Sequence, residues 1–183
     1  MESITAFLEA RLKLKVNESK SAVDVSDKRK FLGFNLYHYY ERIRIRITHE
    51  AIQRCKKRIR EITVRSNGEN ISQRILKLNT YLRGWIPYFS LSDTYYVLTR
   101  IEDWMRRRLR RCLQKQWKKI RTRYRKLIQL GLPDWKALSL ANTRKAYWHI
   151  AGYSLNSALP KSYWANLGLV SLTNRYWEIR SAL

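Results

Sequence analysis

Acidic residues are scarce in this chain: 14 Asp plus Glu stand against 38 Lys plus Arg, a formal net charge of +24 over 183 residues. Catalytic carboxylates are scarcer still. Phosphoryl transfer on nucleic acid needs carboxylates that hold metal ions, and the one adjacent acidic pair, Glu102-Asp103, lies among arginines, where ion pairing accounts for it. Asp24 and Asp27 sit in a turn-prone segment and suit turn or cap roles. Cys55 and Cys112 are the only cysteines. They form neither a disulfide framework nor a metal spacing, which fits a reducing compartment, and each suits a small buried helix position. His38, His49 and His149 are scattered, without a second ligand at metal spacing. There is no Walker loop, no Gly-x-Ser-x-Gly elbow and no His-Glu-x-x-His. No apolar run approaches the length of a transmembrane helix. The start, MESITAFLEARLKLK, carries acids and lacks a signal core and cleavage site, so secretion is not expected. No low-complexity linker or fixed-period repeat divides the chain. No metal site, cofactor or catalytic residue is expected.

What is present is apolar residue and cation together. Hydrophobic residues make up 45% and aromatics 13%, too apolar for a disordered basic tail. The length allows one domain, or two small ones, with a real core. So large a positive charge repels itself unless a polyanion is near, so nucleic acid or an anionic membrane is the leading class of partner.

Residues 3–15 carry a helical spacing of Ile4, Phe7, Leu8 and Leu12, with Ser3 as N-cap. In FLGFNLYHYYERIRIRI the period becomes two. Ile43, Ile45 and Ile47 alternate with Arg42, Arg44 and Arg46, and Leu32, Phe34 and Leu36 alternate before them, which predicts a hairpin with one apolar and one cationic face. The three arginines could face nucleic acid or blunt an exposed edge. Thr48 caps a helix with the stripe Ile52, Cys55, Ile59 and Ile62, and Asn67-Gly68 marks the turn after it. A second helix over 71–85 has the stripe Ile71, Ile75, Leu78 and Leu82, and Gly84 and Pro87 suggest where it bends or stops. The spacing then predicts one long helix over 93–130, closed by Gly131 and Pro133, and shorter helices over 134–151, 160–167 and 171–180.

The long helix is the strongest physical signal. Thirteen Lys/Arg and two acids lie between Arg100 and Lys126. Such a surface binds phosphates by counterion release, and Trp104, Trp117 and Tyr124 either stack on bases or belong to the core. A membrane-surface helix is the rival reading, weakened because the cations are not confined to one amphipathic helix. The candidate phosphate contacts are Arg106, Arg107, Arg108, Arg110, Arg111, Lys115, Lys118 and Lys119, followed by Arg54, Lys57, Arg58 and Arg83.

LNTYLRGWIPYF followed by IEDWMRRRLRR resembles the maturase-specific domain of group II intron-encoded reverse transcriptases. LKLKVNESKSAV and FLGFNLY resemble the last two blocks of the palm in that family. LPDWKALSLANTRKAYWHIAGYSLNSALPKSYWANLGLVSLTNRY is similar to the C-terminal region of many bacterial members. The resemblance implies a mainly α fold: a helical thumb bundle preceded by a short β-hairpin from the end of the palm, an α+β remnant. It implies three parts: a palm remnant at 1–48, a thumb or X maturase domain of three helices at 49–130, and a helical tail at 131–183 that contacts DNA in many relatives. Lys20 matches a palm-motif lysine, and Phe31, Leu32, Gly33 and Phe34 match the hairpin that grips the primer end.

The family's fingers and its Tyr-Ala-Asp-Asp segment with metal-binding aspartates would lie upstream of Met1. The chain is therefore expected to be a C-terminal fragment, not an enzyme by itself, without the divalent metal, Mg in all expectation, that the full-length polymerase uses. Its expected partner is group II intron RNA, whose splicing it assists from a cytoplasmic, bacterial location. Template–primer duplex, target DNA and the missing palm and fingers polypeptide are further expected partners. The alternatives are a thumb-side piece of an RNA-directed DNA polymerase, active only with the palm supplied, and a general basic nucleic-acid or membrane-surface protein.

Overall fold

The structure is a computed structural model that describes residues 2–17, 21, 23–152 and 154–182. It opens with helix α1 (Glu2–Leu12) and a small antiparallel sheet in the order β1 (Lys30–Phe31), β2 (Phe34–Tyr39), β3 (Arg42–Ile47). Helices follow: α2 (His49–Ile62), α3 (Ile71–Phe89), α4 (Tyr95–Gln116) and α5 (Ile120–Gln129), then α6 (Asp134–Asn142), α7 (Tyr147–Gly152), α8 (Lys161–Asn166) and α9 (Leu172–Ser181). The chain is mainly α with a short β-hairpin ahead of the helices, as the sequence implies.

The period-two segment folds as expected. Asn35 pairs with Arg46, Tyr37 with Arg44 and Tyr39 with Arg42, so these six share one face. Arg44 lies 4.4 Å from the Tyr39 ring centroid and Arg46 5.5 Å from that of Tyr37. The apolar face is covered unevenly: Ile47 is buried, whereas Phe31, Leu32 and Ile43 are exposed. Leu32 and Gly33 both have positive φ and link the paired Phe31 and Phe34 in a tight turn. Gly33 lies close against the helices: a Cβ there would stand 3.4 Å from the Phe89 ring.

Thr48 caps α2, accepting from Ala51 N at 3.2 Å. Asn70 and Gln73 form a capping box at the start of α3. The core is the set of stripes on α2, α3 and α4, built from Cys55, Ile59, Leu78, Leu82, Leu98, Met105 and Leu109, and the tail closes it with Trp164, Leu172 and Tyr176. Helix α4 packs against α7 and α9, and α5 against α6.

Four expectations change. The long helix is two: α4 stops at Trp117, which turns into the core, and the axis restarts at Ile120. Trp117 N bonds to Leu113 O, and Trp117 O accepts from Arg123 Nε. The stripe also loses phase there, since Ile120 is exposed and Leu127 buried. The 49–130 region consequently holds four helices. Helix α3 runs on through Pro87 to Phe89, because a proline in the last turn removes a single i→i−4 bond. The segment 134–151 divides at the extended Thr143. Helix α1 spans Glu2–Leu12, so Ser3 lies inside it and is not its N-cap, and none of its residues is buried.

Candidate nucleic-acid interface

Helix α2 buries Ala51, Cys55, Ile59 and Ile62 and so turns Arg54, Lys57, Arg58 and Glu61 outward together. The i, i+3, i+4, i+7 spacing puts all four on one face. Arg58 pairs with Glu61 at 2.9 Å, which leaves Arg54 and Lys57 to solvent. Beyond α2, the 63–70 loop passes beside α4, and a groove of about 560 Å³ opens between them. Lys57, Arg60, Arg65, Arg108, Arg111 and Lys115 line it, with Glu61 as its one carboxylate. Burial holds the Arg111 pKa below its usual value, and the nearby Arg65 charge adds to this. Arg111 Nε is buried without a hydrogen-bond partner among the described residues. Crowded cations and an idle donor in a groove make a site for anions.

The arginine run of α4 divides by its helical phase. Arg107 and Arg111, one turn apart, reach the Trp148 ring at 4.1 and 5.9 Å. Arg107 also donates to Trp148 O through both Nε and Nη2, so this cation is part of the α4–α7 contact. Gly152 leaves room for it, since a Cβ there would meet Arg107 Nη2 at 2.9 Å.

Arg106, Arg108 and Arg110 are all under a tenth exposed. Arg106 bridges Glu102 and Asp103, at 2.5 Å each. Arg108 bonds Thr63 Oγ1 at 2.6 Å and the carbonyls of Arg60 and Thr63. Arg110 bonds Ala151 O at 2.7 Å and Asn156 Oδ1 at 3.0 Å. Burial lowers the pKa of Arg108 and of Arg110 to about 10, with Arg111 adding to the first and Arg106 to the second. These three expected phosphate contacts are instead turned inward as clamps. A guanidinium whose N–H groups face buried carbonyls has few donors left for a phosphate.

Lys115, Lys118, Lys119 and Arg83 are exposed. Lys118 and Lys119 lie in the break between α4 and α5, and Arg83 lies on α3 apart from the groove. Phe31 and Leu32 are exposed at the hairpin tip, while Phe34 stacks on Tyr88 at 5.5 Å and contacts Phe89 at 5.2 Å. Tyr88 Oη donates to Leu32 O, which ties the tip to α3. Lys20 lies outside the described residues. Trp117 is core, Trp104 is half-buried beneath Lys56, Arg60 and Arg108, and Tyr124 is half-buried and bonded to Asp134. Sequence reasoning missed Arg60 and Arg65 as groove residues, and Tyr147, whose ring lies near Arg65, Lys115 and Arg123. The cationic face of α2 signalled Arg60. No local spacing marks Arg65 or Tyr147.

The groove lies within residues 52–131, and that segment matches the family model of the group II intron, maturase-specific domain. The chain contains a group II intron maturase domain. A comparison with the curated proteins finds no match. The maturase domain implies a role in group II intron splicing and association with the intron RNA; it is a maturase-specific domain, not a catalytic one. Among the described residues, no three His, Cys, Asp or Glu side chains gather as metal ligands would. Among the same residues, no helix is long and apolar enough to cross a membrane.

Proposed function

We propose that the maturase domain binds group II intron RNA through the α2–α4 groove and stabilises its folded form, while the RNA performs the splicing chemistry. One observation carries this reading: Lys57, Arg60, Arg65, Arg111 and Lys115 converge in one groove inside the matched segment. The groove supplies cations that offset phosphate repulsion where RNA helices approach. Arg54 and Lys57 extend it along α2. Arg106, Arg108 and Arg110 serve by fixing the frame on which the exposed cations stand. The test is the salt dependence of RNA binding. Replacing Arg65, Arg111 and Lys115 by Gln removes up to three phosphate contacts and should flatten the slope of log affinity against log salt by about 2–3. An unchanged slope refutes the groove.

A second reading, the thumb side of an RNA-directed DNA polymerase, is favoured by one feature: α1 and the hairpin tip leave Ile4, Phe7, Phe31 and Leu32 exposed, a surface suited to packing on further polypeptide. Primer extension that appears only when a palm polypeptide is supplied would support it.

A further inference from the structure

A second cavity, of about 380 Å³, opens where β2 and β3 meet the N-termini of α2 and α4. Asn35 and the cross-strand Arg46 line it, with Lys30, Glu50, Thr94 and Tyr96. Thr94 precedes α4 and is only 2% exposed, yet its side chain makes no cap bond. Its Oγ1 is buried and has no hydrogen-bond partner among the described residues, and neither has Asn35 Oδ1. Thr48, at the equivalent place on α2, does cap its helix. Two orphaned polar atoms in one cavity call for a group that completes both.

The surroundings define that group. Both helices direct first-turn N–H groups and the positive ends of their dipoles to this region. Arg46 adds a cation beyond the Lys30–Glu50 pair. The Glu50 carboxylate, the one acid in the wall, is already paired with Lys30. An anion is therefore favoured. Asn35 Oδ1 accepts only, so the same ligand must also present a donor. Thr94 Oγ1 can donate to the anion.

We propose that this cavity holds one phosphate of an RNA strand together with the neighbouring ribose 2′-hydroxyl. Thr94 donates to a phosphate oxygen, the 2′-hydroxyl donates to Asn35 Oδ1, and Arg46 supplies the counter-charge. The 2′-hydroxyl is the group by which a protein distinguishes RNA from DNA. The α2–α4 groove thus binds by charge, and this cavity adds the choice of sugar. The inference rests on the reading that the chain binds RNA, but it stands on different residues.

The test compares Thr94→Val and Asn35→Leu with the unaltered chain, using RNA and DNA oligonucleotides of one sequence. Asn35→Leu should lower RNA affinity about tenfold and leave DNA affinity within twofold, whereas Thr94→Val should weaken RNA and DNA alike, because both carry the phosphate; neither should change the salt slope. The melting temperature should hold or rise, because each removes a buried unsatisfied atom. A merely structural role would lower it instead. RNA preference retained in Asn35→Leu, or affinity unchanged in Thr94→Val, overturns the proposal and leaves water as the occupant. So does an unaltered chain that binds RNA and DNA alike. A thermal shift with inorganic phosphate that Thr94→Val abolishes, without any RNA preference, assigns the cavity to a free anion and also overturns it. The Arg65/Arg111/Lys115 variant, run in parallel, separates the two readings: a flattened slope with intact RNA preference supports the groove alone, and the reverse supports this cavity alone.

Discussion

Arg110→Met distinguishes an arginine that grips RNA from one that holds the protein together. Arg110 Nε donates to Ala151 O at 2.7 Å and Nη1 to Asn156 Oδ1 at 3.0 Å, and the side chain is almost fully enclosed. Methionine keeps the stem and removes both charge-assisted bonds. Each is worth about 1.5–3 kcal/mol when made, and a buried carbonyl left without its donor costs about 1–3 kcal/mol. Releasing a charge from a buried position offsets part of this. The net loss should be about 2–3 kcal/mol. For a chain of this size, that lowers the melting temperature by about 4–12 °C. RNA binding, measured well below the transition, should keep its salt slope, since no phosphate contact is removed. The assay is a thermal melt paired with a salt titration of RNA affinity. A melting temperature within a degree of the unaltered chain, with a slope flatter by about 0.7–0.9, would show that Arg110 faces RNA and refute its role as a clamp.

Three further outcomes are expected. Asn79 donates to Gly168 O at 2.7 Å and accepts from Val170 N at 2.9 Å, so Asn79→Leu should cost about 2 kcal/mol and speed proteolysis between α8 and α9; unchanged cleavage would refute this link to the tail. Gly33→Ala should destabilise by about 1–2 kcal/mol in a denaturant melt, because φ is +84° and the new methyl would lie 3.4 Å from the Phe89 ring. Burial pushes the Cys55 thiol up to about 11 from its usual 9. It should resist a thiol reagent at pH 8 until the chain unfolds. The folded state keeps this proton between pH 9 and 11 while the unfolded state releases it, so stability should fall as pH rises through that window; a rise would contradict the burial.

The positions of the elements were largely legible because short-range rules govern them. Alternation gave the Ile/Arg strand, Thr48 gave a helix start, and the 3.6-residue stripes of α2 and α3 marked their buried faces. The breaks at Trp117 and Thr143 were not legible. Each depends on which distant surface receives the next helix, as when α5 turns to pack on α6. The candidate site shows the same division. Arg54, Lys57, Arg58 and Lys115 are exposed as expected, while three members of the arginine run turn inward.

By itself the sequence determined the charge, the alternating and helical patterns, and the resemblance to a maturase domain that the family match bears out. It could not determine the fate of each cation, because Arg107, Arg108, Arg110 and Arg111 are chemically identical and nearly adjacent. Tertiary structure decided that. On α4 a step of one residue turns a side chain by about 100°. The carbonyls of Thr63 and Ala151, far away in sequence, lie beside Arg108 and Arg110 and draw them inward, and Arg111 is left facing the groove beside Arg65 and Lys115.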